Sequence, residues 1–122
     1  DLAAIKAAGF TTVIDNRPDG EIPADLHAAA MQAAAEAAGL AFVINPVIAG
    51  ALSLANVEAQ RAAVAASSGP VFAYCASGNR SSILWMMMNA GEQSAEDLIA
   101  TTARHGYNHA PLKEQLEALA RR

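Results

Sequence analysis

Three short apolar runs mark the chain: Thr11-Thr12-Val13-Ile14, Ala41-Phe42-Val43-Ile44 and Pro70-Val71-Phe72-Ala73-Tyr74. Each is continuous rather than alternating, and each is rich in β-branched or aromatic side chains. That pattern predicts strands buried on both faces. The longer stretches between them predict helices with recognisable ends. Leu2–Ala8 is stopped by Gly9, and alanine-rich Ala24–Ala38 by Gly39. Ser53 is a suitable N-cap for a helix running to about Ala66, broken by Ser67-Ser68-Gly69. Further helices are expected over Arg80–Ala90, from Ser94 onward with Glu96 and Asp97 in the first turn, and over about Pro111–Ala120. The run Trp85-Met86-Met87-Met88 would point all round its helix, which predicts a helix buried on most sides.

Strands that alternate with helices imply an α/β fold: a small parallel sheet flanked by helices. The 122 residues fit one domain (1–122), with no repeat or linker. Ligands of such sheets bind beyond the carboxyl ends of the strands. Three loops are expected there: Asn16–Pro23, with the turn signal Pro18-Asp19-Gly20, Asn45–Leu52, and Ala76–Asn79.

Composition narrows the function classes. At 53% hydrophobic and 16% charged, the chain is globular. Its net charge of −4 gives no basic surface for nucleic acid, and no apolar run approaches the length of a membrane span. A single cysteine closes no internal disulfide, so a reducing compartment, the cytoplasm, is expected. The chain opens on Asp1 without a methionine, which leaves room for a preceding segment, and shows no signal peptide. No glycine-rich dinucleotide fingerprint is present, so no cofactor is expected. His105 and His109 have i, i+4 spacing, but Gly106, Asn108 and Pro111 argue for a broken helix there, and hence against a metal site. His27 is expected on the surface.

The chemistry concentrates in "YCASGNRSS", residues 74–82. Cys75 ends the third strand and a helix starts near Arg80. The backbone N–H groups of Ala76, Ser77, Gly78 and Asn79 then converge on one spot, with the helix N-terminus behind them. Gly78 permits the turn, and Arg80 brings a planar fork of donors. Such a cradle holds an oxyanion and stabilises a thiolate. Ser81 and Ser82 are placed to donate further hydrogen bonds to the sulfur. Cys75 is therefore the candidate nucleophile.

The chain resembles the bacterial beta-lactamase hydrolase-like protein, phosphatase-like domain family, small domains with a dual-specificity-phosphatase-like fold. The resemblance rests on "GFTTVIDNRPDGE" (9–21), "GLAFVINPV" (39–47) and "GPVFAYCASGNRSS" (69–82). It implies that Cys75 is the nucleophile, that Ala76, Ser77, Gly78, Asn79 and Arg80 form the anion cradle, and that the Ser81 hydroxyl bonds the thiolate. Two features depart from cysteine phosphatases. Those enzymes place five residues between Cys and Arg, whereas here four separate Cys75 from Arg80, a spacing that resembles rhodanese-type sulfurtransferases. They also carry an acidic residue in the loop after the second strand, whereas "NPVIAGALSLAN" (45–56) has none.

Without a general acid, a phosphomonoesterase loses a factor of roughly 10²–10⁴ on poor leaving groups. Transfer between thiols needs no such acid, because a thiolate leaves readily. Asp15, Asp19 and Glu21 are conceivable substitute acids. Arg17 is a partner for Glu21 or Asp19, or a second positive charge for the substrate. The leading expectation is sulfane-sulfur transfer through a Cys75 persulfide, from thiosulfate or a low-molecular-weight persulfide. The alternatives are hydrolysis of phosphate esters through a Cys75 phosphocysteine, and a non-catalytic anion-binding module. Fusion to, or partnership with, a redox or sulfur enzyme is expected from the resemblance.

Overall fold

The structure, a computed structural model, describes residues 2–122. Three parallel strands, β1 (Thr12–Asp15), β2 (Ala41–Ile44) and β3 (Val71–Tyr74), form a sheet in the order β2-β1-β3. Asp15, at the end of β1, lies opposite Ile44 on one side and Tyr74 on the other. All three strands therefore end at one level, and the loops that follow them share one rim.

Helices cover both faces. On one side α1 (Leu2–Ala7) and α2 (Ala28–Ala37) pack through Leu2, Ile5 and Ala35 onto Val13, Phe42, Phe72 and Tyr74. On the other, α3 (Leu54–Ala66), α4 (Asn79–Met88), α5 (Ala95–Ala103) and α6 (Lys113–Ala120) enclose a cluster of Val57, Leu84, Met86, Met87, Leu98 and Leu116. Helix α4 runs through its middle, with Leu84 and Met86 fully buried, as the Trp-Met-Met-Met run predicts.

Four expectations need correction. Only the central strand β1 is buried along its whole length. β2 is an edge strand, and its Ile44 remains 47% exposed. The helix expected over 24–38 begins at Ala28. Residues Ala24–Leu26 form a 3₁₀ turn, and Asp19 Oδ1 accepts the Ala28 N–H at 2.7 Å. The helix thus begins where a carboxylate from the preceding loop satisfies one of its free amides. His27, expected at the surface, is half-buried, with Nε2 3.0 Å from the Ile22 carbonyl oxygen. The last helix is entered by a 3₁₀ turn, Ala110–Leu112. Among the described residues no helix is long and apolar enough to cross a membrane.

Candidate active site

Cys75 follows β3 directly, and α4 begins at Asn79, so only four residues, 75–78, turn the chain from strand to helix. A turn that tight needs a left-handed residue, and Gly78 supplies it with φ +88° as the N-cap of α4. The Gly78 N–H points back to Cys75 Sγ at 3.2 Å. The thiol is 9% exposed. Burial pushes its pKa up, but the amides of Ser81, Ser77 and Arg80 outweigh it, and the net shift is downward; the Ser81 hydroxyl gives its own proton to Asn16 Oδ1. Ala76 and Ser77 form the exposed outer rim of the loop.

Arg80 sits in the first turn of α4. Its Nη1 donates to Glu21 Oε2 at 2.9 Å and to the Val47 carbonyl at 2.7 Å, and its Nη2 donates to Glu21 Oε1 at 2.8 Å. This is a bidentate fork that joins the loops after all three strands. Arg17 Nε stands 3.5 Å from the same Glu21 carboxylate. Arg80, and after it Arg17, holds the Glu21 carboxyl below the usual carboxylate range. Beside Arg80 lies a cleft of about 330 Å³ lined by Val47, Ile48, Leu52, Ile83 and Leu112.

Beneath the loop is a buried amide network. Asn16, fully buried, follows β1. Its N–H donates to the Tyr74 carbonyl at 2.8 Å, and its Nδ2 donates to the Asn45 carbonyl and to Gln60 Oε1, both at 2.9 Å. Asn16 Oδ1 accepts from Gln60 Nε2 at 3.1 Å and from the Ser81 hydroxyl at 2.9 Å. Asn45 Nδ2 adds a bond to Gln60 Oε1 at 2.9 Å. Ser81 thus stands between the thiol and a fixed amide platform.

The remaining predicted residues take other places. Asp15 is fully buried, its Oδ1 accepting the Arg17 N–H at 2.8 Å. Burial drives its pKa up, against the lowering effect of that amide and of the Tyr74 hydroxyl. Among the described residues Asp15 Oδ2 is buried without a hydrogen-bond partner, Asp19 is engaged at the head of α2, and Glu21 is engaged by two arginines. Helix α5 ends at Ala103, so His105 and His109 belong to no common helix. His109 is buried, with Nε2 2.9 Å from Ser82 Oγ. Ser82, expected to face the sulfur, donates instead to the Asn79 carbonyl at 2.8 Å.

Sequence reasoning missed Asn16, Asn45, Gln60, Tyr107 and His109. Gln60 left a signal: it lies three residues after Val57 on the buried stripe of α3, where a polar residue needs a partner.

The family model of the beta-lactamase hydrolase-like protein, phosphatase-like domain matches residues 1–92. A beta-lactamase hydrolase-like protein of Xylella fastidiosa is 34% identical over 102 residues, covering 82% of this chain and 24% of that protein. One of Agrobacterium fabrum is 31% identical over 119 residues, covering 96% and 28%. The chain thus spans about a quarter of the length of these curated relatives. A crystal structure from Neisseria meningitidis, described as a "putative phosphatase", matches with a TM-score of 0.83 at 31% identity, covering 98% of this chain and 85% of that one. TpbA of P. aeruginosa, at 18% identity and a TM-score of 0.60, shares the fold, covering 98% of this chain and 71% of its own. The chain belongs to the beta-lactamase hydrolase-like protein, phosphatase-like domain family.

Proposed function

We propose that the chain is a cysteine-nucleophile enzyme that transfers sulfane sulfur through a persulfide on Cys75. The observation that carries this reading is that Asp15, Asp19 and Glu21 are each either fully buried or already engaged. Glu21 is clamped by Arg80 and kept ionised, Asp19 caps α2, and Asp15 is buried against its own loop. A carboxylate held below its usual pKa by two arginines is a poor proton donor to a leaving alkoxide. Sulfur transfer has no such requirement. The Cys75 thiolate attacks the outer sulfur of the donor and the donor's S–S bond breaks. Sulfite leaves from thiosulfate, or a thiolate from an organic persulfide. An acceptor thiolate then attacks the outer sulfur of the Cys75 persulfide, and the Cys75 thiolate returns.

In this reading the amides of residues 76–79, with Ser81, hold the charge on the outer sulfur. Arg80 orients the donor, its charge already balanced by Glu21. The cleft beside Arg80, apolar along Val47, Ile48, Leu52, Ile83 and Leu112 and polar at Asn79 and Gln115, suits a low-molecular-weight persulfide with a small organic part. Asp15, Arg17 and Asp19 act as structural supports of the rim.

The rival reading is phosphate-ester hydrolysis through a phosphocysteine. It draws its support from the family name and from the structural relative described as a phosphatase. The two diverge on Glu21→Gln and Asp19→Asn. Sulfur transfer from thiosulfate or an alkyl persulfide should stay within a few-fold of the unaltered chain in both variants and vanish in Cys75→Ser. A phosphatase that uses either carboxylate as its acid would lose roughly 10²–10⁴ of its rate on alkyl phosphates. Alkyl phosphate turnover that dies with one of these variants, with no sulfur transfer at all, would overturn the proposal.

A further inference from the structure

The segment after α5 lies over the cysteine loop. Tyr107 Oη donates to the Ser77 carbonyl at 2.7 Å. The N–H of that same peptide unit belongs to Gly78, and it donates to Cys75 Sγ at 3.2 Å. A peptide unit is planar, with its C=O and N–H pointing in opposite directions. Gripping the oxygen from outside therefore fixes the direction of the N–H inside.

The alternative arrangement is within reach. Turning this peptide over would aim the Ser77 carbonyl oxygen at the sulfur and swing φ of residue 78 through to negative values. Glycine takes either sign with little penalty. Nothing intrinsic to Gly78 holds the amide toward the sulfur; the grip on Ser77 supplies that selection. The fit is close, since a Cβ on Gly78 would collide with Tyr107 Oη.

Tyr107 is itself held. Its N–H donates to the Thr102 carbonyl at 3.1 Å, and its ring stacks on His109 with centroids 5.8 Å apart and planes 7° from parallel. His109 contributes a second brace. Because the Ser82 hydroxyl gives its proton to the Asn79 carbonyl, His109 Nε2 must carry the hydrogen shared with Ser82. The 107–109 segment thus steadies the peptide units on both sides of the 78–79 turn. It lies beyond residue 92, where the family match ends.

We infer that Tyr107 is a positioning residue: by holding the Ser77 carbonyl it keeps the Gly78 amide aimed at Cys75 and so sustains the reactive thiolate. The charged group acting on the sulfur from the other side is the Arg80 guanidinium, with Glu21 behind it. Tyr107 touches neither. The inference holds for a sulfur or a phosphoryl acceptor alike, so it stands or falls apart from the proposed reaction.

The test is the pH dependence of Cys75 alkylation by iodoacetamide, in the 122-residue chain and in Tyr107→Phe. The variant keeps the ring and its stack on His109 and removes only the donor. Its alkylation midpoint should rise by about one pH unit, the scale of one directed hydrogen bond to a charged group. An unchanged midpoint, even with a lowered melting temperature, would make Tyr107 a structural prop and overturn the inference. A second measurement needs no variant. In the unaltered chain the Gly78 amide proton resonance should move with the same midpoint as alkylation, and a Gly78 amide indifferent to Cys75 ionisation would also overturn it.

Discussion

Asn16 carries more of the site than any residue beside the cysteine. It joins the ends of the strands through its backbone and holds Gln60 and Ser81 through its side chain. Asn16→Ala would leave Gln60 and Ser81 short of partners in a dry environment. The expected loss is about 2–4 kcal/mol of stability, read by urea denaturation. Asp15 makes the opposite prediction. Burial raises its folded pKa above the unfolded value, so the protonated form is the one the fold prefers. Its contribution is most favourable below the unfolded pKa and is lost as pH rises through the folded pKa. Asp15→Asn keeps the acceptor for the Arg17 amide and removes the buried charge. It should melt higher than the unaltered chain at pH 7, with the gap closing toward pH 4. A gap that widens toward pH 4 would contradict this sign. The cysteine loop itself was legible because Cys75, Gly78, Arg80 and Ser81 are neighbours in sequence. Asn16, Glu21, Tyr107 and His109 reach the same place from far along the chain, and no local spacing announces such a meeting.

At the level of elements, the apolar runs announced the strands and the glycines announced several helix ends. What they do not carry is a strand's place in the sheet. Val13-Ile14 and Val43-Ile44 read alike, yet β1 is central and buried while β2 lies at an edge, because pairing partners are decided by the crossovers. The start of α2 was misread for a related reason: the Asp19 carboxylate that caps it comes from nine residues upstream and sets the first turn at Ala28. Where the cap is local, the sequence sufficed. Ser53 accepts the Asn56 N–H at 3.2 Å, and the Asn56 side chain reaches back to the Ser53 N–H at 3.3 Å, a reciprocal box at the head of α3. Asn56 also donates to Asn45 Oδ1 at 2.8 Å, which ties this cap to the buried amide network. Ser53→Ala should therefore cost about 1 kcal/mol, seen as a lower denaturation midpoint at unchanged slope. No measurable change would show that the bonds from Asn56 to Asn45 and to the Pro46 carbonyl hold it without Ser53.

Across the whole molecule, the sheet gathers the three loops on one rim, and the Arg80–Glu21–Val47 fork fastens them to each other. The cysteine loop is thereby tied to its two neighbours, and the Arg80 charge is offset by Glu21. Under the proposed sulfur transfer, such a site would receive a sulfur-centred anion carried on a small organic group. The chain spans about a quarter of the length of its curated relatives. The most direct measurement is the intact mass of the chain after exposure to thiosulfate or an alkyl persulfide, with Cys75→Ser beside it. The prediction is a gain of one sulfur atom that cyanide removes and that the variant never shows. A mass that stays unchanged while Cys75 still alkylates at neutral pH would contradict sulfur transfer through this cysteine.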